Sequence, residues 1–592
     1  MYEMNKKSRC NAVVFCHREG QKKNAKRKEE TMKTQTKQSL HSEDKLFNFR
    51  PVFFAAVFLC LGIVFAYYRA KGTLSAWWLT LWLPMLVAPF CFCRTRKQIK
   101  ARAFALCLLV FSFCVGHSAF FIKTERFTSG RVFQEEQTVL GTLIERQEVQ
   151  YGTWAVLTDL SIGDLEEEGK LVAYLPTSFA DEMTISDRIV LVGKVYTKTE
   201  CFQDGVLDVY AIGDDIRFEM KNARGCTKAG ETFDLFLSIR QRVQKVVYVG
   251  MDETPAAVTM AVLLGDTAGI ENALLENIRM GGIAHIFAVS GLHVGALYAF
   301  CRLLMQKTRL GKMPKLLRWG LLFAILFFYA GVCGFSASVV RATVICLTTY
   351  AAYLIGTETD FLQSLGLSAI IVLLLSPTAL FEVGFQLSFL ACLGLALLSK
   401  PIEKALYELG RLAKKLYIRC FYGGVKARSN PPSANDDTPP LTVLQRMVRS
   451  VVSFLSACFA AQIFTAPVLM IAFEYVSGWG LLLNCLFVPL ISCAFAVLLL
   501  FVLAACLLPA SLVAAWLYVP SVVWSVILLT FETVDFSSFM LSGFSLSGGS
   551  ILSYYGGWQF LSDKWNVTNR QKWTLAMVCF LAFAITMYAL NV

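Results

Sequence analysis

Residues 281–300 read Gly-Gly-Ile-Ala-His-Ile-Phe-Ala-Val-Ser-Gly-Leu-His-Val-Gly-Ala-Leu-Tyr-Ala-Phe, and this stretch decides what kind of fold the chain must have. From Ala284 onward the run is apolar enough for a membrane helix, yet it carries His285, Ser290 and His293. Polar groups at bilayer depth are costly and persist where they line an aqueous path or seal a helix contact. On the residues alone both readings stay open: histidines bonded to neighbouring carbonyls in a packing seam, or a pore wall. Gly291 and Gly295, four apart, predict one smooth face for close helix approach. No metal is expected, because His285 and His293 lie eight positions apart with no Cys or carboxylate beside them.

The rest of the chain fits a polytopic membrane protein. Of 592 residues, 56% are hydrophobic, far above a soluble average. The 19 cysteines form no CxxC pair of zinc type and sit mostly in apolar runs such as those around Cys60, Cys346 and Cys392, where a thiol behaves as a small hydrophobe. The net charge of +13 has to be located before it is interpreted, since basic residues of membrane proteins gather in cytoplasmic loops. Residues 1–50 hold 13 Lys/Arg against 6 Asp/Glu with no apolar period, a basic cytoplasmic tail. Apolar runs at 52–68, 74–93 and 103–122 follow. The loop Arg94–Arg102 has five basic residues and no acid, so the third helix must exit.

It exits into a segment of another kind. Residues 131–226 alternate, as in Arg188-Ile-Val-Leu-Val-Gly-Lys-Val-Tyr196, and predict short strands in a small extracytoplasmic β-barrel or sandwich. This segment has 9 Lys/Arg against 18 Asp/Glu, a poor balance for holding a phosphate backbone. Tyr151, Trp154, Tyr174 and Phe179 read either as a stacking platform or as core and cross-strand residues. Cys201 and Cys226, the two cysteines here, lie where disulfides persist, and a bridge or two thiols are both open.

Residues 231–280 read as amphipathic or interfacial helices: Thr232–Val249 mixes apolar positions with Arg240, Arg242 and Lys245, Thr254-Pro255 starts a helix that ends near Gly265, and Asn272–Met280 leads into the opening stretch. Beyond it, Arg302–Arg318 has six basic residues and no acid, so the preceding helix runs inward. Helices near 317–333, 338–356, 361–376 and 378–398 return the chain to a cytoplasmic linker at 400–447, and helices near 448–472, 479–507, 511–531 and 573–590 follow, with a short or re-entrant piece at 541–560. The acidic turn Gly356–Asp360 alone runs against the charge bias. The expected fold class is a polytopic α-helical membrane protein of about 12 to 13 spans with one extracytoplasmic small β-barrel domain.

Three further places put polar residues inside apolar runs. Arg341 sits about one and a half turns into a span and needs a partner, a headgroup or water. Glu382 and Gln386 share a helix face, with Ser388 nearby, and offer Arg341 mutual satisfaction. Gln462 before Pro467, and Asn484 before Pro489, predict helices broken at proline, which survive at membrane depth where protein or water satisfies the freed backbone.

The opening stretch, with Gly281, Gly282 and His285 leading to Ser290-Gly-Leu-His-Val294, resembles the core motif of the ComEC DNA-internalisation (competence) family, and the other three places match that family's pattern in order. The resemblance runs from about residue 50 to 590. It implies three domains after the tail and first helices at 51–123: an OB-like domain at 131–226, the approach at 231–280, and a channel domain over 281–592. It also implies pore or transport roles for His285, Ser290, His293, Arg341, Glu382, Gln386, Gln462 and Asn484, and structural roles for Gly281, Gly282, Gly291, Gly295, Pro467 and Pro489. Many members end in a metallo-β-lactamase-like domain, which is expected to be missing here. The five histidines are too few and too scattered for its zinc site, and no GxxxxGK[ST] loop is present. The reading is therefore a non-enzymatic inner-membrane channel without cofactor, passing single-stranded DNA inward. Its partners would be an extracellular DNA receptor, a nuclease in trans and a cytosolic ATP-driven motor, with self-association left open. The alternative is a secondary transporter or flippase for an anionic solute or lipid-linked precursor.

Overall fold

The computed structural model describes residues 50–72, 96–421, 443–533, 540–562 and 569–591, apart from short breaks within 129–233, at residue 288 and within 543–547. The apolar run expected at 74–93 therefore lies outside the described residues. Helices α1 (Pro51–Ala70) and α2 (Arg96–Thr128) both point their C-terminal ends at a small β domain. That domain contains β1 (Glu136–Val149), β2 (Gly152–Ile162), β3 (Leu165–Glu167), β4 (Lys170–Leu175), β5 (Asp187–Thr197), β6 (Phe202–Gln203), β7 (Val206–Leu207), α3 (Val209–Asp214), β8 (Ile216–Met220) and β9 (Gly225–Glu231).

Five of these strands close a ring in the order β1, β2, β4, β8, β5 and back to β1. β4 and β8 are parallel, and the other neighbours are antiparallel. Closure needs β1 to serve two partners. Residues 136–142 pair with β5 on one edge and residues 139–149 with β2 on the other, and register shifts at Leu140/Thr142 and Leu143/Glu145 bend the strand where both pairings overlap. The alternating sequence of β5 sends Ile189, Leu191 and Val195 inward, where Leu157, Leu171 and Phe218 meet them at 0% exposure.

The barrel stands on the helices through α3. Asp208 caps that helix by accepting from the Ala211 amide at 2.9 Å, and Ala211 and Ile212 join Ala66, Phe120, Phe127 and Leu373 in one apolar cluster. Lys123 Nζ donates to the Gly213 carbonyl at 3.0 Å. Trp154 packs toward this junction, whereas Tyr174, directly across the strand pair, is exposed. Tyr151, Phe179 and Cys201 lie outside the described residues, so neither the full aromatic platform nor the Cys201–Cys226 pairing is described.

Continuing along the chain, the helices are α4 (Leu235–Gly250), α5 (Glu253–Leu264), α6 (Asn272–Met280), α7 (Ala284–Phe287), α8 (Gly291–Lys307), α9 (Lys315–Val332), α10 (Ala337–Ile355) and α11 (Phe361–Leu375). After a 3₁₀ turn at Pro377–Phe381 come α12 (Val383–Phe421), α13 (Val443–Phe473), β10 (Tyr475–Ser477), α14 (Gly480–Ala505), α15 (Ala510–Thr533), β11 (Met540–Ser542), α16 (Gly548–Leu561) and α17 (Asn569–Asn591). Among the described residues eight helices are long and apolar enough to cross a membrane: α1, α2, α9, α10 and α12 to α15. Three shorter apolar helices, at Glu253–Leu264, Phe361–Leu375 and Gln571–Thr586, accompany them. Among the described residues the count falls below the expected 12 to 13 partly because the opening stretch is two helices and the apolar parts at Phe361–Leu375 and Gln571–Thr586 are shorter than a span.

Other boundaries differ as well. Residues 231–280 are not all interfacial: α4 is amphipathic, but every residue of α5 from Pro255 to Leu264 is buried, because that helix is apolar all round. The polar stretch after 400 is not linker from its start, since α12 runs on through Pro401 to Phe421. Its Ala, Leu, Glu, Lys and Arg are strong helix formers, so leaving the apolar run changes the solvent and not the backbone. The acidic turn that opposed the charge bias has a partner: Asp360 accepts from buried Arg50. Gln363 Oε1 accepts the Val52 and Phe53 amides at 3.1 and 3.2 Å, satisfying two orphan donors of α1. This Arg50–Asp360 end lies opposite the barrel.

Candidate functional site

The expected helix from Ala284 is interrupted. α7 stops at Phe287 and α8 begins at Gly291 with Ser290 as its cap. Ser290 Oγ accepts from the Leu292 amide at 3.3 Å, and the Ser290 amide donates to His293 Nδ1 at 3.1 Å. A Ser-x-x-His sequence thus does here what Ser-x-x-Glu does elsewhere. Since Nδ1 accepts, Nε2 carries the proton of the neutral ring, and it is buried against Phe495, ring centroids 4.9 Å apart, with no hydrogen-bond partner. His285, in the short helix α7, is exposed, while its neighbours Ile286 and Phe287 are buried.

Arg341, in the second turn of α10, is 7% exposed. Its Nη1 donates to the Ser388 carbonyl of α12 at 2.7 Å and contacts Cys392 Sγ, and its guanidinium lies 5.8 Å from the Phe389 ring centre. Ser388 Oγ meets Ser338 Oγ at 3.1 Å. On its other side Arg341 rests on Gly291, where a Cβ would lie 2.6 Å from Nη2. The close approach expected of the Gly291/Gly295 face therefore exists at Gly291 alone, because a Cβ at Gly295 would meet nothing within 4 Å.

The expected mutual satisfaction of Arg341 by Glu382 and Gln386 does not form. Gln386 Nε2 donates to the Leu380 carbonyl at 3.1 Å, tying the 3₁₀ turn to α12, and Glu382 sits at the barrel junction within electrostatic reach of Asp214 and Lys123. That junction is acidic. Desolvation and the neighbouring Asp214 raise the Glu145 carboxyl above its ordinary range, while Lys170 and Arg240 act against the shift.

A second cluster gathers Gly281, Gly282, Gln462, Ser477 and Gly480, with Asn484 one turn further along α14. Gln462 Nε2 donates to the Ser477 carbonyl at 3.2 Å, and Ser477 Oγ accepts from the Gly480 amide at 3.2 Å. Gly282 has φ +73° and presses on Gly480 and Ser477, and Gly281 abuts Leu483. Asn484 Oδ1 is buried without a partner. The predicted breaks at proline are absent: α13 runs through Pro467 and α14 through Pro489. Protein satisfies the backbone at Pro467. A proline there leaves the Ile463 carbonyl without its i+4 donor, and Tyr554 Oη donates to it at 3.0 Å while Tyr555 Oη donates to the Phe464 carbonyl at 2.7 Å.

Cys392, Ser477, Phe495 and the Tyr554/Tyr555 pair were not legible as site residues, since each earns its place through a contact from a distant helix. Among the described residues no group of three or more His, Cys, Asp or Glu side chains could hold a metal ion.

Fold and site together define a multi-pass helical membrane protein with a closed barrel at one end and polar side chains threaded through its helix core. A family model described as "Competence protein" matches residues 262–565, a span that contains every polar residue of both clusters, and the chain belongs to that family. It is 27% identical to the ComE operon protein 3 of Bacillus subtilis over 195 residues, which are 33% of this chain and 25% of that protein. It is 30% identical to the uncharacterized protein MG316 of Mycoplasma genitalium over 141 residues, 24% of this chain and 35% of that one. The matched stretches thus span a quarter to about a third of these relatives. No solved structure matches the chain.

Proposed function

We propose that the helix core forms the inner-membrane passage for single-stranded DNA entering the cytoplasm during transformation. The observation that carries this reading is the matched region itself: within it a membrane-type run is broken between α7 and α8, and a buried cation, Arg341, packs against the first residue of α8. The strand order of the ring, with its one parallel pair, supports an OB-like barrel. Its 9 Lys/Arg against 18 Asp/Glu and the acidic junction argue that this barrel is not the main phosphate clamp.

The chain acts as a conduit and not as an enzyme. Moving each unit of negative charge inward against a potential negative inside is opposed by about 2.3 kcal/mol per 100 mV, so the passage needs a motor. A receptor outside, a nuclease in trans and a cytosolic ATP-driven motor complete the system. The basic residues Arg302 and Lys307 in the C-terminal part of α8, Lys312 in the turn after it, and Lys315 and Arg318 in the first turn of α9 gather at the end opposite the barrel, which supports a cytoplasmic N-terminus and an outward barrel.

Two measurements test this. Deletion is expected to abolish uptake of labelled DNA while leaving growth unchanged; a growth or envelope defect with normal uptake would favour a solute transporter or flippase. In a Cys-depleted chain, an impermeant maleimide added outside is expected to label Glu166→Cys and miss Glu358→Cys. The opposite pattern overturns the orientation.

A further inference from the structure

Arg341 carries a charge that the protein does not answer. The guanidinium cannot lose its proton, its protein partners are a carbonyl, a thiol and an aromatic ring, and its Nε is buried with no hydrogen-bond partner. Among the described residues no carboxylate stands within ion-pair distance of it. The third element packed here is the N-terminal turn of the 17-residue helix α8, whose Gly291 lies against Nη2. The side chain is thus enclosed by three helices and met by neutral groups alone. A buried guanidinium with neutral partners and an unbonded Nε has unspent capacity for a charge-assisted bond to an oxyanion.

From this geometry we infer that Arg341 and the Gly291 turn form a relay site for one phosphodiester of the transiting strand. The inference rests on the DNA-passage reading and gives it a specific contact. Gly291 serves the site by letting Nη2 pack against the start of α8, where a Cβ would lie 2.6 Å away, and Ser388 and Cys392 hold the guanidinium from the other side as positioning residues. Arg341 is enclosed between α8, α10 and α12 at 7% exposure, which favours a strand threaded through the core over a headgroup at the lipid rim.

The test uses the full chain in phosphatidylcholine nanodiscs and a fluorescent dT12 oligonucleotide. Arg341→Gln is expected to weaken dT12 binding by at least about tenfold, the loss of one charge-assisted contact. Arg341→Lys is expected to recover part of that loss, and Gly291→Ala to weaken binding by crowding Nη2. A methylphosphonate dT12, which lacks the charges, is expected to bind all forms weakly and alike. A readout that needs no variant is Cys392, beside Nη1: dT12 should slow its alkylation by iodoacetamide, read by peptide mass spectrometry, and the neutral analogue should not.

Equal dT12 affinity in the unsubstituted chain and Arg341→Gln, or no protection of Cys392, overturns the site while the passage reading stands. An unsubstituted chain that binds no dT12 overturns both. A phospholipid retained in native mass spectrometry by the unsubstituted chain and lost in Arg341→Gln assigns the site to a headgroup and overturns the strand assignment.

Discussion

Removing the Tyr554 hydroxyl should cost stability only because Pro467 is there. Proline at 467 has no N–H for the Ile463 carbonyl, and Tyr554 Oη supplies the missing donor at 3.0 Å. Tyr554→Phe deletes that donor and little else, so the penalty is that of a carbonyl left unpaired in an apolar setting. Interhelical hydrogen bonds within membranes average about 0.6 kcal/mol and reach about 1.7, and an orphaned buried acceptor lies at the upper end; we expect about 1 to 1.5 kcal/mol. In a Pro467→Ala background the new alanine amide bonds Ile463, and the same Tyr554→Phe change should cost roughly 0.3 kcal/mol or less. The coupling of about 1 kcal/mol is measurable as a double-mutant cycle by denaturant titration of the detergent-solubilised chain. Tyr555→Phe provides a control with weaker coupling, because the Phe464 carbonyl that Tyr555 bonds at 2.7 Å keeps the Val468 amide as an intrahelical donor. If Tyr554→Phe costs the same with and without Pro467, the hydroxyl is not serving the proline gap and this explanation fails.

Two smaller perturbations test the rest of the scaffold. Asp360 both caps α11, accepting from the Leu362 amide at 3.0 Å, and faces buried Arg50. Asp360→Asn keeps the cap and should cost about 1 to 2 kcal/mol, and Asp360→Ala about 1 kcal/mol more; equal costs in unfolding titrations would mean that one of the two roles is idle. Gly282→Ala should cost at least about 2 kcal/mol or prevent accumulation, because its φ of +73° is strained for alanine and the added Cβ would lie 2.9 Å from the Gly480 Cα. Gly295→Ala, with nothing within 4 Å, should be neutral or slightly stabilising, and comparable damage at both positions would refute the packing described here.

The sequence alone determined the class of the molecule and the places to look. Long apolar runs have one stable home, alternating runs have another, and basic loops mark a side, because each is a local property that burial in lipid or a β core enforces residue by residue. That is why the long apolar helices and the β domain were legible in advance. Partnership is another matter. Arg341 was expected to meet Glu382 and Gln386 on the neighbouring run, but it bonds the Ser388 carbonyl and contacts Cys392, further along that run, since helix rotation and tilt choose which face arrives. Ser290 and His293 read as polar intruders in a continuous helix, yet they make the cap that ends one helix and starts the next. Pro467 announced an unsatisfied carbonyl, but not that a tyrosine some 91 positions away would donate to it. Such choices depend on which elements are adjacent, and adjacency is settled by the summed packing of whole helices, a quantity no local window of the chain contains.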